Sequence, residues 1–308
     1  MNEEWFRALP FGEQRRLFAS GLLALPFWLK TTLNKEAEIA VPDFNCLITY
    51  SHQSIPTAMF EEILRAGFEP LTLREIVAHN RGEEIIPADI NHVLFTFDDG
   101  FATQGVRLER YLQGLNSQRQ TAGLKPVRPI VFVSLGFGQP QIPRLDLTRV
   151  DGNTPSFQDG STNKYLTLTE ILHLVRSNEV DIQSHGLTHS SLAAIPAQQA
   201  RLEVVESRRR LDMVYGLVGV PHDLSVFAYP YGQISEQDLV AATYDLAFGT
   251  KETINSLLQT HRQRFNMPRV PDWSYLSNQT VRNFILTANQ RQKEPDVGRP
   301  RFGWRRMW

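Results

Sequence analysis

The chain has 308 residues, of which 42% are hydrophobic, so it is long enough for one large α/β domain or two small ones. Its formal net charge is −1, whereas nucleic-acid-binding domains usually have an excess of basic residues, so no nucleic-acid partner is expected. The single cysteine, Cys46, excludes an intrachain disulfide framework and a cysteine-based zinc site. It lies in an apolar run and is expected to be buried, so any metal site must use histidine and carboxylate ligands.

The N-terminal region contains an apolar stretch at residues 17–29 that follows Arg15 and Arg16. It resembles the core of a signal peptide, but Pro26 interrupts it and it is too short to span a bilayer. We interpret residues 1–41 as an N-terminal helical extension. A helix docked on the domain and a membrane anchor are the two alternatives for it.

Strand and helix patterns alternate along the rest of the chain. Strands are expected at 45–51, 93–97, 129–135, 180–185, 224–230, 246–250 and near 265–270. Helices are expected at 56–68, 72–79, 101–115, 167–178, 197–217, 236–244 and 279–290, and Thr72 with Glu75 and Thr167 with Glu170 form capping-box patterns. This alternation predicts a mostly parallel sheet with outer helices, and seven or eight strands at this length favour a barrel.

Polar or conformationally special residues follow three of the predicted strands. Asp98 and Asp99 come directly after strand 93–97, His185 ends strand 180–185, and Pro-Tyr-Gly at 230–232 follows strand 224–230. The carboxyl ends of barrel strands meet on one face, where reactive groups gather. The stretch 136–163 is a long loop rich in Gly, Pro and polar residues, and it is either a functional lid or a variable surface insertion.

The spacing of His185 and His189 places two imidazoles on one side of a helical turn. The glutamate of an H-E-x-x-H protease motif is missing, but two histidines and one carboxylate form a common catalytic metal site with open positions. Of two adjacent carboxylates, one can bind the cation while the other accepts a proton from metal-bound water, whose pKa falls to about 7. The alternative is a solvated acidic turn with two incidental histidines.

Three motifs carry a family resemblance: TFDDG at 96–100, SHGLTH at 184–189 and YPYG at 229–232. In order and spacing they resemble the first three motifs of the polysaccharide deacetylases, carbohydrate esterase family 4, over about residues 42–275. The resemblance implies an α/β fold, a distorted (β/α) barrel of the NodB-homology type with about seven parallel strands. It also implies a divalent metal, Zn²⁺ with Co²⁺ or Ni²⁺ as alternatives, and hydrolysis of an N-acetyl amide on a glycan substrate. Residues 276–308 would form a C-terminal helix and basic tail packed on the same domain.

The resemblance also assigns roles to individual residues. Asp98 corresponds to the general base, and Asp99, His185 and His189 correspond to the metal ligands. The backbone N–H of Tyr231 would help to stabilise the oxyanion, and its ring would line the sugar groove.

The chain departs from the family pattern at two places. Ala228 and Tyr229 stand where many members have an arginine before Pro-Tyr-Gly, and Gly186 stands where Ser or Thr usually follows the first histidine. The FAYPYG form resembles a subgroup that includes biofilm exopolysaccharide deacetylases, in which a histidine near the first strand is the general acid. This implies His52 as the acid, one residue out of the usual register, with His261 as the alternative.

Three further residues, Arg269, Asp272 and Trp273, follow the strand predicted near 265–270. Arginine and aspartate there could tune the base or the acid, and tryptophan could stack on a sugar; an anchoring polar strand end is the alternative. Another amide or ester hydrolase on this fold, for example one acting on a small cyclic amide or on acetylated xylan, and a catalytically degenerate glycan-binding module are the competing functions. An extracytoplasmic or membrane-associated location is favoured on family grounds, with the cytoplasm as alternative.

Overall fold

The structure, a computed structural model, describes residues 46–52, 55–84, 86–87, 90–136, 165–250 and 263–272. The predicted extension 1–41, the region 276–308, the helix predicted at 279–290 and nearly all of loop 136–163 lie outside these residues, so the domain limits stay predictions. Among the helices within the described ranges, none has both the length and the apolar character that a bilayer span requires.

The described elements alternate as the sequence predicts. The strands are β1 (Cys46–Ser51), β2 (Glu69–Pro70), β3 (His92–Phe97), β4 (Ile130–Val133), β5 (Asp181–Ser184), β6 (Val226–Ala228), β7 (Leu246–Phe248) and β8 (Val270–Pro271). The helices are α1 (Thr57–Arg65), α2 (Leu73–Arg81), α3 (Val106–Thr121), α4 (Leu168–Ser177), α5 (Ala197–Arg201), α6 (Ser207–Val218) and α7 (Gln237–Thr243).

The strands form one parallel sheet with the order β7-β6-β5-β4-β3-β1-β8, and β2 pairs with the start of β3. Residues before and within β8 link the two edges of this sheet. Met267 bridges to Phe248 of β7, while Val270 pairs with Thr49 of β1. The sheet therefore curls towards closure, and the predicted distorted (β/α) barrel of about seven parallel strands is confirmed.

Alternate strand residues face two different parts of the core. Ile48 and Leu94 share a buried cluster with Leu246 and Phe248 of β7, although β1 and β7 lie far apart in the sheet order. A sheet can bring these residues into one cluster only by curling, so this cluster fills its inner side. The intervening residues, such as Phe95, pack against the outer helices; the rings of Phe95 and Phe60 of α1 stack at 3.8 Å.

The helix ends match the local sequence signals, with some differences. Both predicted capping boxes form, at Thr72 before α2 and at Thr167 before α4, because each threonine and its glutamate satisfy the free N–H groups of the first turn. The helix predicted at 101–115 begins at Val106, after a 3₁₀ turn. The helix predicted as continuous over 197–217 contains a π-helical turn at Leu202–Glu206, between α5 and α6.

Candidate active site

The ends of the central strands lie at one edge of the sheet. The register pairs Ser51 with Phe97 and Val133 with Ser184, so β1 ends level with β3 and β4 ends level with β5. The residues that immediately follow these strands are His52, Asp98, Asp99 and His185, and Pro-Tyr-Gly at 230–232 follows β6. The candidates predicted for the site thus emerge from neighbouring strands at the expected edge of the barrel.

Asp98 lies in a buried ion pair with Arg269. The Asp98 residue is 2% exposed and Arg269 is fully buried. The two terminal nitrogens of Arg269 donate to Oδ1 and Oδ2 of Asp98 at 2.7 and 2.8 Å, and Nε donates to the carbonyl of Gly249 at 3.0 Å. The guanidinium also lies 4.8 Å from the ring centroid of Tyr50 and 5.3 Å from that of Phe132. These contacts on several sides fix the arginine and, through it, the carboxylate.

This ion pair decides the charge of Asp98. Burial acts to raise the pKa of the Asp98 carboxyl, but the Arg269 guanidinium, with smaller effects from His185 and His52, holds that pKa below its usual range. Asp98 is therefore an anion at neutral pH. The guanidinium reaches Asp98 from Arg269, the residue directly before the strand that closes the barrel.

Asp99, His185 and His189 form a cluster beside this pair. One potential ligand atom from each lies within 4.8 Å of the others. The Nε2 atoms of His185 and His189 are 3.3 and 3.0 Å from Oδ1 of Asp99. Although these distances are short, Oδ1 of Asp99 is buried and has no aligned hydrogen-bond donor among the described residues.

The tautomer of His185 explains why this histidine gives that oxygen no donor. Nδ1 of His185 lies 2.8 Å from the carbonyl oxygen of Ala228, so this nitrogen carries the proton and donates it. In the neutral imidazole, Nε2 then presents a lone pair towards Oδ1 of Asp99. These two hydrogen-bond acceptors face each other in a buried site with no proton between them. A divalent cation would provide the positive charge that both can bind. The residues present therefore fit a metal held by Asp99, His185 and His189.

The backbone at the site is held in conformations that side chains rarely adopt. Asp99, His189 and Tyr231 have φ values of 73°, 60° and 59°, and they are three of the five non-glycine residues with positive φ in the described part of the chain. Such conformations persist only where the surrounding structure imposes them, and they concentrate at functional sites. Their coincidence with the predicted site residues supports a functional origin for the cluster.

Tyr231 lies at the exposed rim of the site. The residue is 66% exposed, and its ring centroid is 4.6 Å from that of His189. The next residue, Gly232, packs so closely on Thr250 that a Cβ atom would lie 1.7 Å from the threonine hydroxyl. The tight turn therefore holds the Tyr231 ring beside a candidate metal ligand, while its predicted backbone role stays a prediction.

His52 follows β1, on the Asp98 side of the cluster. Its ring lies 5.4 Å from that of Tyr50, in an edge-on arrangement. The buried side-chain amide of Gln104, which the sequence analysis missed, donates to the backbone carbonyls of both His52 and Asp98 at 2.5 and 2.6 Å. This amide ties together the backbones that carry the predicted acid and the predicted base.

The remaining candidates are only partly described. Asp272 follows β8, whose Pro271 pairs with Tyr50 of β1, so it lies next to the strand that leads to His52. His261 and Trp273 lie outside the described residues. Cys46 is fully buried, as expected from its apolar surroundings.

The polysaccharide deacetylase family model matches residues 154–248. This region contains His185, His189 and Tyr231. Over this region the chain is similar to the polysaccharide deacetylase family. The match supports a hydrolase that acts on carbon–nitrogen bonds other than peptide bonds. No curated protein has a significant match to this chain.

Several solved structures share the fold of this chain. The deacetylase PplD from Streptococcus pyogenes, in complex with acetate, is 17% identical, with a TM-score of 0.55 over 81% of this chain and 97% of that chain. IcaB from Ammonifex degensii is 16% identical, with a TM-score of 0.53 over 77% and 97%. The deacetylase domain of BpsB from Bordetella bronchiseptica is 16% identical, with a TM-score of 0.51 over 75% and 97%. At this level of identity, the likeness shows a common fold.

Proposed function

We propose that this protein is a deacetylase that removes N-acetyl groups from an N-acetylated polysaccharide or oligosaccharide in a reaction that depends on a divalent metal. One observation carries the proposal. Asp99, His185 and His189 converge within 4.8 Å, directly beside a buried carboxylate, Asp98, that its ion pair with Arg269 keeps ionised. Hydrolysis of an amide by activated water needs both a metal site and a separate base.

In this proposal Asp99, His185 and His189 hold the cation, and we propose Zn²⁺ because imidazole and carboxylate ligands suit it. Co²⁺ or Ni²⁺ would be accepted by the same set of ligands. When bound, the cation would polarise the amide carbonyl and lower the pKa of a water molecule to about 7.

The protein groups then move the protons. The Asp98 carboxylate accepts the proton of the attacking water, and the two nitrogens of Arg269 fix its plane while it does so. His52, close enough to Asp98 to influence its pKa, donates a proton to the leaving nitrogen so that it departs as an amine. The products are acetate and a free amino sugar. The backbone N–H of Tyr231 would help to stabilise the oxyanion.

The rim of the site and the fold of the similar structures support the proposed substrate class. The exposed ring of Tyr231 next to His189 offers an apolar face on which a sugar ring can stack. IcaB and the BpsB deacetylase domain share the fold. In this proposal His52, one residue out of the usual register, takes the role of the acid that the resemblance to the exopolysaccharide deacetylases implies. We therefore propose an exopolysaccharide rich in N-acetylated sugars as substrate, and an extracytoplasmic or membrane-associated location where such polymers occur.

The test combines metal content with acetate release. Elemental mass spectrometry of the purified wild type should give about one divalent metal per chain, and His185→Ala should lose it. His173→Ala is the matched control, because His173 pairs with Glu109 away from the strand ends and should retain the metal. With metal bound, the wild type should release acetate from N-acetylglucosamine oligosaccharides. A wild type without metal after incubation with Zn²⁺, or with metal but no activity on any N-acetylated glycan, would contradict the proposal.

A further inference from the structure

A buried carboxylate outside the proposed machinery, Glu203, holds the loop that connects the two histidines. Glu203 is 2% exposed. Its Oε2 accepts hydrogen bonds from the backbone N–H groups of Leu187 and Thr188 at 2.7 and 2.9 Å, and its Oε1 accepts one from the Thr188 hydroxyl. Both oxygens of this carboxylate are therefore engaged by the segment between His185 and His189.

Gly186, the first residue of this segment, is adapted to the same carboxylate. It has a φ of 80°, and a Cβ atom there would lie 3.0 Å from Oε2 of Glu203. A side chain at 186 would both strain the backbone and press on Glu203.

The location of Glu203 also sets it apart from an ordinary helical glutamate. It lies in the π-helical turn Leu202–Glu206, where the sequence predicts a continuous α-helix. π-Helical turns are rare and occur often at functional sites. Glu206 in the same turn differs, because its carboxylate pairs with Arg209 and Arg210 instead.

We propose that Glu203 is a positioning residue for the metal site. By fixing the backbone of Leu187 and Thr188, it sets where the His189 imidazole lies relative to His185 and Asp99. The inference rests on the proposed function, since it needs these three residues to bind a metal. Residues that orient metal ligands from outside typically change the metal affinity by about 10–100-fold when they are replaced.

The experiment measures metal binding and metal geometry rather than activity. Zn²⁺ affinity is determined by competition with a chromophoric chelator, and the visible absorption spectrum of the Co²⁺-loaded protein reports the ligand geometry. Glu203→Gln should bind Zn²⁺ at least about 10-fold more weakly than the wild type, with an altered Co²⁺ spectrum. The matched control Glu206→Gln, in the same turn, should keep both the wild-type affinity and the wild-type spectrum.

A second variant covers the case in which Glu203→Gln fails to fold. Thr188→Val is nearly isosteric and deletes one of the hydrogen bonds to Glu203, and we expect an altered Co²⁺ spectrum with a few-fold loss of Zn²⁺ affinity. If the folded Glu203 and Thr188 variants keep the wild-type affinity and spectrum while the wild type binds metal, this inference alone is overturned. A wild type that binds neither ion overturns the proposed function, and the inference with it.

Discussion

Because Arg269 and Asp98 form a buried ion pair, the effects of substituting them on the free energy of unfolding should be strongly coupled. Arg269→Met keeps an apolar stem for the contacts with Tyr50 and Phe132, and Asp98→Asn keeps the shape of the carboxylate while removing its charge. Because both residues are buried and joined by two charge-assisted hydrogen bonds, removing either partner leaves the other charge unpaired. Each single substitution should cost about 3–5 kcal/mol in the free energy of unfolding.

The double variant leaves neither charge behind, so its loss should be smaller than the sum of the single losses. We expect an interaction energy of at least about 2 kcal/mol. The four proteins are compared by urea denaturation followed by circular dichroism, with excess chelator so that metal binding does not contribute to stability.

A surface ion pair of the same chain is the control for this cycle. Arg74 and Asp223 are joined at 3.1 Å, but their side chains are 68% and 58% exposed. Arg74→Met and Asp223→Asn should show an interaction energy below about 1 kcal/mol. An equally small interaction energy for Arg269 and Asp98 would refute the expectation that burial strengthens the coupling between paired charges.

Three further predictions concern the site and the core. Gly186→Ala should destabilise the protein by about 1–2 kcal/mol and weaken Zn²⁺ binding, because Gly186 has a positive φ and lies close to Glu203. Unchanged denaturation and chelator-competition curves would contradict this. Asp98→Asn should lower the rate of acetate release at least about 100-fold while the metal content stays at that of the wild type, and loss of the metal would mean that Asp98 is itself a ligand. Burial raises the pKa of the Cys46 thiol to about 12, so at pH 8 a fraction on the order of 10⁻⁴ is thiolate and a thiol reagent should react only after unfolding; rapid labelling of the native protein would contradict the burial.

The features that the sequence predicts well are those with local causes. The capping boxes at Thr72 and Thr167 depend on residues three positions apart, and both form. The strand that ends directly before Asp98 is recognisable as a short apolar run followed by a turn. Since parallel strands gather their carboxyl ends at one edge, the closeness of Asp99 to His185 follows once the alternation of strands and helices is recognised.

The features that the sequence hides depend on contacts between distant residues. The sequence suggests that Arg269 could tune the base or the acid, but its contact with Asp98, 171 residues away, depends on the pairing of β8 with β1. Glu203 lies within the stretch predicted as one continuous helix over 197–217, and its burial accompanies the π-helical turn and its hydrogen bonds to Leu187 and Thr188. Neither contact has a signal at short range along the chain.

The adjacent carboxylates Asp98 and Asp99 show how the barrel accommodates two like charges at the end of one strand. Leu94 faces the inner side of the sheet, and Thr96 and Asp98 continue that alternation, which points Asp98 towards Arg269. At Asp99 the φ of 73° reverses the backbone, and its carboxylate turns towards the histidines instead. Each carboxylate thereby has its own surroundings: a guanidinium within the protein neutralises the first, and two imidazoles leave the second in need of a cation. The same turn thus separates the proposed base from a proposed metal ligand over a single peptide bond.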